Sequence, residues 1–258
     1  MPDSPRRRRL RASSALLVLV LSVLGTGCGG SSGPPTLTVL ATSSMKEVLG
    51  ELGAAYVQSD PGVRVRFEFG ALPEITSRLS RQEAGDVLVT ADMASMDEVR
   101  AHLAAPRVIA HGAMTIAVAP GNPRRVRGLR DLARPGLRVV VGAESVPVGR
   151  YTRQVLTKAG LTVRSSAKVI SARAVLDRVR AGEADAGIVF ITDLRPAGIA
   201  VSSVPIPADV NVTASFTAAA VRDREHEDAA NAFVAWLTTP PAQRLFNKYG
   251  FVSPRREQ

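Results

Sequence analysis

The chain has 258 residues, 45% hydrophobic and 22% charged, the balance of a globular protein whose core needs no covalent staple. Its single cysteine, Cys28, excludes an internal disulfide framework and a cysteine-based metal site, and His102, His111 and His226 lack zinc-ligand spacing. Of the net charge of +10, Arg6, Arg7, Arg8, Arg9 and Arg11 against Asp3 carry +4; the remaining +6 is scattered and only 4% of residues are aromatic, so no nucleic-acid partner is expected, and a mildly cationic surface favours small anions.

The N-terminal arginines form a positively charged n-region, and Ala15 to Leu24 is an apolar run too short to span a bilayer as a helix, which predicts a signal peptide over residues 1–27. Leu24-Gly25-Thr26-Gly27-Cys28 resembles a bacterial lipobox, except that Gly25 stands where such boxes usually carry a leucine-like residue. Cys28 is then the lipid attachment point, and residues 28–36, rich in Gly, Ser and Pro, form a flexible tether. The expected location is extracytoplasmic, lipid-anchored to the outer face of the cytoplasmic membrane. Arg8-Arg9 leaves twin-arginine export open beside the general secretory route.

Leu37 to Ala41 is a short apolar strand, after which Met45, Val48, Leu49, Leu52, Ala55 and Tyr56 recur at helical spacing. Val63 to Phe69 alternates as a half-buried strand; Ile75 and Leu79 mark a short helix, Val87 to Val89 a buried strand, and Met96, Val99 and Leu103 another helix. Strand Thr115 to Ala119, a Gly/Pro loop at 120–123 and a short helix around Leu129 and Leu132 follow. Strand Leu137 to Val141 leads into a helix over 149–159, and strand Lys168 to Ile170 into a helix carrying Val175, Leu176 and Val179. Strands Ala186 to Ile191 and Phe216 to Val221, then helices at about 226–238 and 241–248, end the chain. Such alternation predicts an α/β architecture, with mostly parallel sheets covered on both faces. No repeat of fixed period is visible.

Several predicted strand-to-helix junctions are small and neutral: Ala41-Thr42-Ser43-Ser44, Gly70-Ala71-Leu72-Pro73, Val146-Pro147-Val148-Gly149 and Ile170-Ser171-Ala172. In a parallel α/β sheet they gather at the carboxyl ends of the strands, where ligands bind. Helix N-termini carry unpaired N–H groups and partial positive charge, so convergent ones make an anion site without a lysine. Asp86 with Asp92, or Ser44 with the distant His111, are the only pairs that suggest catalysis, and no GxSxG elbow or metal motif supports them. No enzyme activity and no metal site are expected.

Leu40-Ala41-Thr42-Ser43-Ser44-Met45, the run Gly85 to Asp92 with Met96-Asp97, Val146-Pro147-Val148-Gly149-Arg150-Tyr151, the run Ala181 to Asp193, and Lys248-Tyr249-Gly250-Phe251 occur in that order. Together they resemble the periplasmic molybdate-binding proteins of ABC transporters over residues 37–253. The resemblance implies a two-lobed type 2 periplasmic-binding-protein fold, each lobe a mixed, mostly parallel sheet flanked by helices, with two hinge crossings. Lobe 1 would comprise 37–117 plus 215–258, and lobe 2 118–214. It implies a molybdate or tungstate oxyanion as transported ligand, no cofactor, an ABC transporter permease as partner and a monomeric state.

Carried over by position, the ligand contacts fall on Ser44 (hydroxyl and backbone N–H), on the backbone N–H groups of Val148 and Ala172, and on Leu72 and Phe190. The last two depart from the family, which has a serine at the Leu72 position and a tyrosine at the Phe190 position. Two neutral donors are therefore missing. A sister protein for another anion or a small organic ligand is the alternative that this departure leaves open.

Overall fold

The computed structural model describes residues 33–81, 83, 85–197 and 201–254; the signal-like run, Cys28 and most of the tether lie outside them. In chain order, β1 (Thr36–Thr42), α1 (Lys46–Ser59), β2 (Arg64–Gly70), α2 (Leu72–Ser80), β3 (Val87–Thr90) and α3 (Met93–Asp97) lead to the long β4 (Arg107–Val118). Then come β5 (Val139–Gly142), α4 (Pro147–Lys158), β6 (Ala167–Val169), α5 (Ala172–Arg180), β7 (Ala186–Phe190) and α6 (Leu194–Ala197). β8 (Ser202–Pro205), β9 (Thr213–Ala220), α7 (Glu227–Trp236) and α8 (Pro240–Lys248) complete the order.

Six strands form two parallel triplets. β1 lies between β2 and β3, and β5 lies between β6 and β7. The units β1-α1-β2-α2-β3 and β5-α4-β6-α5-β7 thus repeat one topology, although the sequence shows no fixed period. β1, β3, β5 and β7 are almost wholly buried, as strands covered on both faces must be, which is why they read as largely apolar runs. β2 is an edge strand, and its charged Arg64, Arg66 and Glu68 keep that edge from pairing with another chain.

The triplets are joined by antiparallel strands. From Arg107 to Ala113, β4 pairs with β9, which pairs in turn with β3; from Met114 to Val118, β4 lies between β7 and β8. Where β4 changes partners, the Asn211 side chain takes the place of a strand: its Oδ1 accepts the Met114 N–H at 3.1 Å and its Nδ2 donates to the Met114 carbonyl at 2.9 Å. The pairing register shifts between Val108 and Ala110, and Gln243 Nε2 of α8 donates to the Ile109 carbonyl there at 2.8 Å.

Most predicted elements appear within a few residues of their expected places. The strand expected at Thr115 to Ala119 is only the second half of β4. Its first half carries His111, Gly112 and Ala113, which break the apolar pattern. β8 was not expected, since Ser202-Ser203-Val204-Pro205 carries little strand signal. Met96, Val99 and Leu103 are all buried, but Met96 lies on α3 while Val99 and Leu103 flank a separate 3-10 turn at Arg100–His102, so they do not share one helix. The helix around Leu129 is likewise a 3-10 segment, Leu129–Ala133. Among the described residues no helix is long and apolar enough to cross a membrane.

Candidate functional site

All six parallel strands end at one cleft. Thr42 ends β1 and Ser43 and Ser44 follow it, Gly70 ends β2 and Ala71 and Leu72 follow it, and Ala91 follows β3; Val146 to Val148 precede and begin α4, Ile170 to Ala172 follow β6, and Phe190 ends β7. The cleft is small, about 290 Å³ including its opening to solvent. That is room for a compact ligand of a few heavy atoms. Ser44, Leu72, Val148, Ala172 and Phe190, the five residues singled out in the sequence, all line it.

Local sequence aims the helices at this space. Pro73 lies in the first turn of α2 and Pro147 opens α4, where a missing N–H costs nothing and the fixed φ suits the helix. Ser171 caps α5, its Oγ accepting the Ala174 N–H at 3.1 Å. Gly149 permits the closest approach: a Cβ there would sit 1.9 Å from the Ala143 carbonyl oxygen, so only glycine lets the first turn of α4 lie against the end of β5. Leu72, Val148 and Ala172 each lie in the first turn of their helix, where the N–H groups have no partner within the helix and carry its positive end.

No lining residue is charged. Two arginines in the first turns of α4 and α5 are held instead by carboxylates from the other triplet's elements. Arg150 Nε and Nη2 donate to Asp92 at 2.7 and 3.1 Å, and Nη2 also donates to Ser95 Oγ at 2.7 Å. Arg173 Nη1 lies 3.7 Å from Glu47 of α1. The cleft is thus built of neutral hydroxyls, backbone donors and apolar side chains, a set that suits an anion offering acceptors only.

Among the hydroxyls, Ser43 Oγ donates to the Gly70 carbonyl at 3.3 Å, and the Ser44 hydroxyl lies beside the carboxyl of Asp193, whose charged form it favours. Asp193 follows β7 and is 8% exposed; its Oδ2 accepts the Phe190 N–H at 3.2 Å. Burial pushes this carboxyl up to about 7, with Glu47 pushing the same way, against the opposing bonds from Ser44 and the Phe190 N–H and the charge of Arg173. Phe190 is set in a chain of rings, its centroid 5.9 Å from Tyr151 and 5.3 Å from Phe216, both edge to face. The Tyr151 oxygen is itself engaged, accepting the Ser215 N–H at 3.0 Å.

Apart from Ser44, the residues that suggested catalysis are used elsewhere. Asp86 accepts the Thr38 N–H at 2.7 Å, Asp92 caps α3 through the Ser95 N–H at 3.0 Å, and His111 Nδ1 meets Ser215 Oγ at 3.2 Å outside the cleft. Sequence reasoning assigned no role to Asp193 or to Thr42. For Asp193 the available signal was an acidic residue directly after a buried strand; for Thr42 it was one more hydroxyl in the first junction. Among the described residues no cluster of His, Cys, Asp and Glu is placed to hold a metal ion.

Residues 37–252 match the model of a family described as bacterial extracellular solute-binding protein. The chain belongs to this family. It is therefore a solute-binding protein of a transport family, whose members are not enzymes and carry no cofactor. The solute-binding protein is 33% identical over 250 residues to the molybdate-binding protein ModA of Mycobacterium tuberculosis, covering 93% of this chain and 96% of that one. Its fold matches the periplasmic molybdate-binding protein of Azotobacter vinelandii with a TM-score of 0.70 at 20% identity, over 85% of this chain and all of the other. It also matches the sulfate-binding protein SubI of Mycobacterium tuberculosis, with a TM-score of 0.75 at 19% identity, over 84% and 86% of the two chains.

Proposed function

We propose that this solute-binding protein captures molybdate or tungstate in the cleft and delivers it to an ABC importer. The reading rests above all on the convergence of four strand-to-helix junctions, with their unpaired first-turn N–H groups, on a small cleft without a charged side chain. The curated ModA relative at 33% identity supports the choice of ligand. A dianion brings acceptors and no donor, so neutral donors suffice to hold it, whereas the O–H of hydrogen phosphate lacks a partner among them. In the same reading Ser44 and the N–H groups at Leu72, Val148 and Ala172 hold the anion's oxygens, and Phe190 closes the wall.

Lobes 37–117 plus 215–258 and 118–214 close over the ligand; β4 changes partners between Ala113 and Met114, four residues ahead of that first crossing. Export and lipidation at Cys28 tether the monomer beside its permease. Fatty-acid labelling of wild type that disappears in Cys28→Ser is the expected result; equal labelling of both sinks the anchor.

One observation favours a second reading: Leu72 and Phe190 bring no side-chain donor to the cleft, and a sulfate-binding protein shares the fold. Calorimetric titration of the purified protein with molybdate, tungstate, sulfate and phosphate decides between them. Binding of molybdate and tungstate, with phosphate rejected, is expected. Tighter binding of sulfate would transfer the assignment to that anion, and heat from none of the four would overturn the oxyanion reading.

A further inference from the structure

Four buried side-chain polar atoms among the described residues have no hydrogen-bond partner: Thr42 Oγ1, Thr152 Oγ1, Thr192 Oγ1 and Gln243 Oε1. Of the four residues, Thr42 alone lines the cleft. It is 7% exposed, so its hydroxyl has neither water nor protein to bond. Its position at the end of β1, directly before the 3-10 turn Ser43–Met45, is one where a threonine ordinarily caps the helix; here the side chain makes no capping bond. An idle, buried hydroxyl costs stability, so its partner is expected to arrive from outside the chain.

Of the other hydroxyls around the cleft, Ser43 already donates to the Gly70 carbonyl, Ser171 accepts the Ala174 N–H, and Ser44 lies beside the Asp193 carboxyl. Thr42 also lies opposite Gly70 in the β1–β2 register, beside the junction where Leu72 brings no side-chain donor. We infer that Thr42 is a specificity-determining ligand residue: its hydroxyl donates to an oxygen of the bound oxyanion and stands in for the donor absent at Leu72. The inference rests on the oxyanion reading of the cleft and deepens it, since a bond offered at β1 rather than at α2 enters from a different side of the anion.

The test compares Thr42→Val, which keeps the β-branched shape and removes the hydroxyl, with Thr42→Ser, which keeps the hydroxyl. Both are titrated calorimetrically with molybdate, tungstate and sulfate beside wild type and Ser44→Ala, and melted without ligand. Thr42→Val is expected to weaken binding of the preferred anion by about tenfold or more, while Thr42→Ser stays within about threefold of wild type. Without ligand Thr42→Val is expected to melt at or above the wild-type temperature, because it removes an unpartnered polar atom. Affinity in Thr42→Val equal to wild type, with Ser44→Ala weakened, would overturn the inference and leave the oxyanion site standing. Lost affinity together with a lower melting temperature would assign the hydroxyl to the fold and overturn the inference as well. A wild type that binds none of the three anions would sink both readings.

Discussion

Asp193 is a carboxyl that folding withdraws from water. Burial, the largest influence on it, favours the neutral form, and its charge is opposed further by Glu47 of α1, while Ser44, the Phe190 N–H and Arg173 of α5 favour ionisation. With its titration raised to about 7, well above the ordinary carboxylate range, the folded state keeps a proton that the unfolded chain loses. The stabilisation is present in full below the unfolded value and declines as pH rises through the window up to about 7, above which it is flat. Asp193→Asn, which keeps an acceptor for the Phe190 N–H, should flatten this decline in thermal melts between pH 4.5 and 8. An equal decline in both proteins would remove Asp193 as its cause.

The same proton bears on the ligand. An ionised Asp193 draws the single Ser44 proton to itself and repels an anion nearby; a neutral Asp193 leaves the Ser44 hydroxyl free to donate into the cleft. Sulfate and molybdate affinity in wild type should therefore fall as pH rises through about 7 and stay level in Asp193→Asn. Ser44→Ala, in turn, should cost on the order of 1.5–3 kcal/mol of anion binding at pH 6. Titrations at three pH values check both, and an affinity that does not change with pH in wild type would break the link between Asp193 and the ligand.

At the level of the elements, the decisive contact is α4 against β5. Gly149→Ala puts a Cβ 1.9 Å from the Ala143 carbonyl oxygen and 2.4 Å from its carbon, and neither can yield without moving β5. The first turn of α4 must retreat, taking the Val148 N–H with it. A loss of at least about 2 kcal/mol in urea unfolding, with anion binding reduced at least tenfold, is expected. Unchanged unfolding would mean that the junction has slack.

What the sequence disclosed follows from the same geometry. β1, β3, β5 and β7 were legible because strands buried on both faces must be largely apolar, and α4 and α5 because one apolar stripe faces the sheet. The first half of β4 was not, since its pairing with β9 tolerates His111 and Gly112, and β8 depends on pairing with Val118 to Thr115 rather than on its own residues. The cleft's five expected residues came from ordered motifs. Asp193 and Thr42 stayed hidden, because lacking water or a partner is a property of the packed molecule.

At the scale of the whole molecule, the two triplets are tied across the cleft by charge. Arg150 of α4 reaches Asp92 at the start of α3 and lies 3.6 Å from Glu98, and Arg173 of α5 reaches Glu47 of α1. The ties are unequal. Arg150 and Asp92 have side chains only 20% and 8% exposed and share two bonds, whereas Arg173 and Glu47 are 49% and 32% exposed at 3.7 Å, a pair that water and salt largely screen. The Arg150 pair is therefore the stronger tie between the two triplets, and neither member lines the cleft.

Removing it as Arg150→Met leaves Asp92 half-paired when the molecule is closed and free to hydrate when it opens, so the ligand-free equilibrium should shift toward an open form. Small-angle scattering should then give Arg150→Met a larger radius of gyration than wild type without ligand, and the same radius at saturating anion. Because closure must now be driven by the ligand, affinity should fall about tenfold although no ligand contact has been touched. Arg173→Met should change both quantities far less, and less again at high salt. Scattering curves and affinities that match wild type in Arg150→Met would show that the cleft's packing, not this pair, keeps the two triplets together.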